Sequence, residues 1–392
     1  MNIEESKKTF PILPIYMISI LLHFGIALSV TFIPLLANDL GATLALIGII
    51  TTAKSIGSLA SNFPIGYLTG KFRSRIMLII GLLGLIFSSV AYAYTDTPQI
   101  LLFVGVIFGI SMSFWSVTRL DYVRQNIPEK KRGRVMANFG GIIRLSRMTG
   151  PVVGALIIEK LGYSLLFLCQ AVVIVLALII LIFFLPTGIN EPKKEQKSEP
   201  IQNVLKYIKE HRRTILASMI GILGLTIIRS GRNLFVPLWA DSIGLSVIQI
   251  GLITSITAAL ELVMVIPAGI IMDKKSRSWS VIPTIVMVSI GISLIPLALT
   301  FQALLLVSLL LAVGNGLSSG INMVLSTDLA PTKGSGIFIG MWRSLTDGAM
   351  IIGPILLGLS AQVFSLAAAP IGLSVIGLLS LIPNLRQFRN KK

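Results

Sequence analysis

Apolar residues fill the chain in long runs, separated by short polar segments. A membrane-crossing helix needs about 20 mainly apolar residues. Twelve runs meet that length, at 14–36, 44–69, 76–94, 99–121, 134–157, 163–185, 214–240, 246–271, 280–300, 302–326, 336–359 and 365–384. The pattern predicts an all-α polytopic membrane protein with both termini on one side. A longer connection, residues 186–213, separates six spans from six. The predicted organisation is a six-helix bundle over 1–185, a linker over 186–213 and a second six-helix bundle over 214–392. The linker opens with PTGINEPKKEQKSEP, a polar stretch expected to be flexible. It continues with IQNVLKYIKEHRR, where Ile201, Val204, Leu205 and Ile208 recur at helical spacing. That spacing predicts a short amphipathic helix lying on the membrane face.

The two sets of spans share punctuation. Residues 34–151 overlay, without a gap, on the positions 203 residues later. Pro34, Pro64 and Pro151 fall on Pro237, Pro267 and Pro354. Gly41, Gly48, Gly66, Gly133 and Gly150 fall on Gly244, Gly251, Gly269, Gly336 and Gly353, and Lys71 falls on Lys274. Gly and Pro mark places where a backbone bends or another approaches closely, so stretches that share them are expected to share a shape. The chain reads as a duplication with two halves in parallel orientation, an architecture found in transporters.

Composition narrows the chemistry. The chain is 54% hydrophobic and only 12% charged, with a mean hydropathy of +0.88. Its single cysteine, Cys169, lies in an apolar run, and its two histidines are His23 and His211. Neither a disulfide framework, a metal site nor a cofactor is expected. The polar start MNIEESKKTFPILP leads into a full span, so no cleavable signal peptide is expected. There is no GxxxxGK[ST] loop and no nucleophile–base constellation in the spans, which argues against ATP as the direct energy source and against an enzyme.

The net charge of +17 reads as topology. The short connections after spans 1, 3, 5, 7, 9 and 11 contain one basic residue, Lys160. The other connections carry Lys71, Arg73, Arg75, Lys130, Lys131, Arg132, Arg134, Lys274, Lys275 and Arg277. This asymmetry places those loops and both termini in the cytoplasm, in a plasma (inner) membrane, and favours anionic lipid. The basic residues have no separate soluble domain to sit on, so nucleic acid is not an expected partner.

Local motifs carry a resemblance. After span 2 the chain reads Gly66-Tyr67-Leu68-Thr69-Gly70-Lys71-Phe72-Arg73-Ser74-Arg75, and 203 positions later Gly269-Ile270-Ile271-Met272-Asp273-Lys274-Lys275-Ser276-Arg277. With twelve spans in two sixes, these segments resemble the loop signature of the major facilitator superfamily: a Gly, an acid four residues on, then basic residues. The second copy has the acid as Asp273; in the first, Gly70 takes its place, and Asp121 at the end of span 4 is the candidate stand-in, beside Arg119. The resemblance implies that Asp121, Arg119, Gly66, Gly70, Lys71, Arg73, Arg75, Asp273, Lys274 and Arg277 belong to a cytoplasmic gate. Span 5 carries Gly141 and then Gly150-Pro151-Val152-Val153-Gly154. This is similar to the Gly-Pro motif of the drug/proton antiporter branch, with Ser146 and Ala155 where glycines are common. It implies efflux by alternating access. Close helix packing explains individual glycines equally well.

Ionisable residues at mid-span are expensive and are usually functional. Here they are Lys54 in span 2, Arg144 and Arg147 in span 5, Arg229 and Arg232 in span 7, Glu261 in span 8, and Arg343 and Asp347 in span 11, with His23 in span 1. Arg144 and Arg147 share a helix face, as do Arg229 and Arg232. One reading is a cavity that takes an anion through guanidinium groups, joined by Lys54 and Arg343 and flanked by Trp115 and Trp342. The other is internal pairing, Arg343 with Asp347 and Glu261 with a span-7 arginine. Glu261 and Asp347 are the candidates for proton coupling. The favoured activity is proton-coupled efflux of a small organic anion or zwitterion by a monomer surrounded by lipid. The rivals are proton-coupled uptake of an organic anion and a lipid or lysolipid flippase.

Overall fold

The computed structural model describes residues 12–69, 71–185, 201–274, 278–331 and 335–383. These residues form helices and short connections, with no strand among them. In a membrane interior only helices and closed barrels can satisfy every backbone polar group.

Span 1 is two helices, α1 (Ile12–Ser29) and α2 (Ile33–Asp39), the second started by Pro34 in its first turn. Spans 2, 3 and 4 are α3 (Leu44–Thr69), α4 (Ser74–Ala93) and α5 (Pro98–Asn126). Spans 5 and 6 run together as α6 (Glu129–Phe184), broken at Gly162, where φ is 78° and ψ 175°. The linker helix α7 (Ile201–Glu210) leads into span 7, α8 (Arg212–Ser242). Span 8 is α9 (Val247–Val263) with α10 (Val265–Lys274). Span 9 is α11 (Ser278–Leu294), closed by a 3₁₀ turn at Ile295–Leu297. Span 10 is α12 (Phe301–Leu317) with α13 (Ile321–Asp328). Span 11 is α14 (Ser335–Val363) and span 12 is the shorter α15 (Ala369–Ser380). Ten helical stretches among the described residues are long and apolar enough to cross a membrane. One of them, Arg134–Phe184, holds two of the sequence-derived spans in 51 residues, and Ala369–Ser380 is apolar but shorter.

The helices group into two compact units. Unit 1 takes in Met1–Ala42, Ala53–Lys194 and Ser246–Ser255; unit 2 takes in Thr43–Thr52, Glu195–Leu245 and Ile256–Lys392. In unit 1, α1 packs along α6, and α4 lies against both α5 and α6. In unit 2, α8 packs against α14 and α15, while α11 joins α12 and α15. One apolar core in unit 2 contains Val204, Ile215, Ile222, Ala268, Ile285, Ile321, Phe338 and Trp342. The linker helix forms where its spacing predicts it, but Val204 is buried in that core and Ile208 packs against it. Leu205 stays exposed. Its apolar face is thus shared between protein and surroundings, because a docking core is available beside it.

The duplication is visible in backbone geometry. Gly41 and Gly244 have φ of 79° and 78°. Around them the same ladder recurs: Leu40 N to Leu36 O, Gly41 N to Asn38 O and Ala42 N to Ala37 O, then Ile243 N to Trp239 O, Gly244 N to Asp241 O and Leu245 N to Ala240 O. This is the C-terminal turn in which a left-handed glycine satisfies the last carbonyls of a helix. The next helix is capped in both copies, Leu46 N on Thr43 Oγ1 and Gln249 N on Ser246 Oγ. A side chain at Gly41 would meet no atom within 4 Å, so the only penalty of adding one is the left-handed backbone. Gly41→Ala and Gly244→Ala are each expected to lower stability by about 1–2 kcal/mol, read as a fall in Tm.

Candidate functional site

In unit 2 the two span-7 arginines find different partners. Arg232 is buried, and its Nη2 donates to Glu261 Oε1 at 2.8 Å, with side-chain exposures of 8% and 14%. Arg229, one turn earlier, donates from Nη2 to the Asn315 carbonyl at 3.1 Å and to Ser318 Oγ. Ser318 caps the C-terminus of α12, so Arg229 places its charge where unsatisfied carbonyls gather. Sequence spacing gives no hint of this contact, because it joins residues 86 and 89 positions apart. On α14, Arg343 Nε lies 3.8 Å from Asp347 Oδ2, with side chains 57% and 29% exposed. A Cβ at Gly340 or Gly348 would meet nothing within 4 Å, so this polar stretch of α14 borders open space. Trp342 is buried, and its Nε1 donates to Asn322 Oδ1 at 2.6 Å, pinning α14 to α13.

In unit 1, Lys54 on α3 holds its Nζ 5.6 Å from the centre of the Phe108 ring. Arg144 is half-buried and Arg147 exposed on α6. His23 bonds through Nδ1 to the Ser19 carbonyl at 2.8 Å within its own helix. Trp115 is fully buried, so both tryptophans read as cavity candidates sit inside their units. Arg119 lies 4.6 Å from the centre of the Phe139 ring and 6.0 Å from that of Trp115. Asp121 Oδ2 accepts from Gln125 Nε2 at 2.5 Å.

The basic loops do local work. Arg75 Nη2 donates to the Ile182 carbonyl at 2.6 Å, on the last turn of span 6. Arg132 donates to the carbonyls of Ile127 and Arg124, at 2.9 and 2.7 Å, at the end of α5. Lys71 Nζ stands 4.3 Å over the Tyr67 ring, and Arg73 precedes the first residue of α4. Asp273 and Lys274 end α10. Gly70 and Arg277 lie outside the described residues. Gly66 borders open space.

The span-5 glycines differ among themselves. A Cβ at Gly150 would overlap Ala27, and one at Gly154 would overlap the Leu28 carbonyl, both on α1. The Pro151 carbonyl would lie 2.7 Å from a Cβ at Gly251 within unit 1, and the Pro354 carbonyl 2.5 Å from a Cβ at Gly48 within unit 2. These two contacts are the same contact under the 203-residue repeat. So are Gly150 on Ala27 and Gly353 on Ser230. Gly141 meets nothing.

Comparison with known proteins agrees with this geometry. Residues 15–354 match the profile of the Major Facilitator Superfamily. An uncharacterized MFS-type transporter of Methanocaldococcus jannaschii is 23% identical over 344 residues, covering 88% of this chain and 89% of that protein. The riboflavin transporter RibZ of Clostridioides difficile is 22% identical over 174 residues, 44% of this chain and 38% of that protein. The fold is similar to that of a POT family transporter in complex with 5-aminolevulinic acid, with a TM-score of 0.79, 13% identity and 95% of each chain covered. Apolar helices long enough to cross a membrane, an atomically repeated half and a family match over most of the sequence together place this chain in the Major Facilitator Superfamily, as a multi-pass membrane transporter of the secondary type.

Proposed function

We propose that this protein exports a small organic anion or zwitterion, driven by protons and working by alternating access, in the manner of the drug/proton antiporter branch. The observation that carries the reading is the charge imbalance of the first half. Its six spans contain one carboxylate, Asp121 at the end of span 4, against Lys54, Arg119, Arg134, Arg144 and Arg147. That carboxylate accepts from Gln125. Positive charge placed within membrane spans favours a negatively charged guest, and guanidinium groups suit carboxylate and phosphate. Lys54, Arg144 and Arg147 are the groups assigned to it, with Arg229 and the exposed Arg343 as further donors. Trp115 and Trp342 are assigned to packing.

The proton step is assigned to Glu261. Its carboxylate holds Arg232 in a nearly dry ion pair. Protonation would free the guanidinium, so proton uptake and the availability of a positive charge are linked. Asp347, beside Arg343 on the open part of α14, is the second candidate. The basic loops, with Asp121, Gly66, Gly70, Lys71, Arg73, Arg75, Asp273, Lys274 and Arg277, are assigned to the cytoplasmic gate, which sets both termini in the cytoplasm of an inner-membrane protein.

A thermal-shift screen of the purified protein tests the substrate class, since a ligand that binds the folded state stabilises it. Carboxylates and phosphates are expected to raise Tm, and Arg147→Ala with Lys54→Gln to remove the rise. Stabilisation by lipophilic cations alone would reject the anion reading.

A further inference from the structure

Helix α14 turns two faces to different surroundings. One face holds Phe338, Trp342, Thr346 and Ala349, all buried. Trp342 fixes it to α13 through Asn322, and the Phe338 ring centre lies 6.0 Å from that of Trp342. The other face carries Gly340, Arg343, Ser344, Asp347 and Gly348, spaced i, i+3, i+4, i+7 and i+8. The glycines at both ends of this row border open space. Met350, one turn beyond Asp347, is 48% exposed. A firmly backed helix thus presents one basic and one acidic group on an open face.

Two ion pairs of unit 2 contrast. Arg232 and Glu261 close on each other at 2.8 Å and are nearly dry. Arg343 Nε and Asp347 Oδ2 stand 3.8 Å apart, too far for a hydrogen bond, and both side chains are open. Such a loose pair keeps hydrogen-bonding capacity on both partners. Charges within a span face the bundle interior or a water-filled cavity rather than lipid. A guest carrying both signs would replace the loose pair by two charge-assisted bonds and leave no net charge behind. The repeat adds a second observation. Positions 203 residues before Arg343, Ser344 and Asp347 are Gly140, Gly141 and Arg144. The first half has a cation where the second has a carboxylate, so this arrangement of signs is particular to α14 and is not a shared packing device of the two halves.

We propose that this face of α14 binds the zwitterionic head of an amino acid with an apolar side chain. Arg343 takes the carboxylate, Asp347 takes the ammonium, and Met350 borders the apolar side chain. This rests on the anion-or-zwitterion reading of the substrate and commits it to the zwitterion. It gives Asp347 to the ammonium of the guest and leaves the proton step to Glu261.

The test measures binding of three matched probes to the purified full-length protein: L-leucine, 4-methylpentanoate, which lacks the ammonium, and L-leucine methyl ester, which lacks the carboxylate. Wild type is expected to prefer L-leucine to both. Arg343→Gln is expected to weaken L-leucine roughly tenfold or more, the loss of a charge-assisted bond. Asp347→Asn is expected to weaken L-leucine similarly, to leave 4-methylpentanoate unchanged and so to erase the preference between them. Gly348→Leu places a side chain on the open face, where an added Cβ meets nothing within 4 Å. It is expected to keep the Tm of the ligand-free protein and to lose L-leucine. If the charge variants do not fold, the three probes on wild type and Gly348→Leu decide the matter. Equal affinity for L-leucine and 4-methylpentanoate in wild type, or L-leucine binding untouched by Asp347→Asn and Gly348→Leu, would overturn the site. Binding of 4-methylpentanoate that is lost in the Lys54→Gln, Arg147→Ala double variant but kept in Arg343→Gln overturns this site while the anion reading stands. If none of the three probes binds, this site is overturned, and the wider screen of carboxylates and phosphates then decides the anion reading on its own.

Discussion

Removing either partner of the Arg232–Glu261 pair is expected to destabilise the protein by about 3–5 kcal/mol, because each single change leaves the other charge buried without its counter-ion. Arg232→Ala strands the carboxylate, and Glu261→Ala strands the guanidinium. Removing both is expected to recover most of the loss, since the desolvation penalty of two charges disappears with them. Unfolding midpoints of the two single variants and the double variant in one detergent check this. If the double variant loses as much as the two singles together, the ion pair is not the source of the effect. The same carboxylate carries a functional expectation: Glu261→Gln retains the shape and removes the proton site, so pH-driven transport in vesicles should vanish while substrate binding persists. Retained pH-driven transport in that variant would remove Glu261 from the coupling step.

Single methyl groups on span 5 are expected to have effects that differ sharply by position. Gly150→Ala and Gly154→Ala drive a Cβ into α1, against Ala27 and against the Leu28 carbonyl. Both positions meet backbone or a side chain with no freedom to move, so the helices must part. Overpacking a close contact costs roughly 1–3 kcal/mol and occasionally more. Gly353→Ala is expected to behave alike, since it would meet the backbone of Ile227 and Gly231 on span 7. Gly141→Ala is the control. It meets nothing within 4 Å, and alanine is the better helix former, so its Tm is expected to hold or rise slightly. Equal losses at Gly141 and Gly154 would show that the motif acts through something other than helix approach.

Much of the fold was legible because periodicity and punctuation are local. Each apolar run contains helix among the described residues, and Gly41 and Gly244, matched by position alone, adopt the same left-handed turn with the same hydrogen bonds. The i,i+4 pairing of Arg343 with Asp347 was also readable, since one helix sets that spacing. Other features were not. Arg75 belongs by sequence to a loop signature, yet its side chain ends on the Ile182 carbonyl, 107 residues away. Asp121 and Arg119 are two residues apart, and their side chains take different partners, Gln125 and the Phe139 ring. Successive residues near that spacing point to different sides of a helix.

Hydrophobic pattern, repeat and basic-loop asymmetry are properties of the chain itself, because a membrane interior tolerates only segments that satisfy their own backbone. Which arginine meets a carboxylate is not such a property. Arg229 and Arg232 are the same residue type three positions apart on one helix, and the packing of α8 gives one of them the Asn315 carbonyl and the other Glu261. A charge in a low-dielectric interior takes whatever partner the neighbouring helix brings within about 3 Å, and only the tertiary arrangement of the helices decides which partner that is.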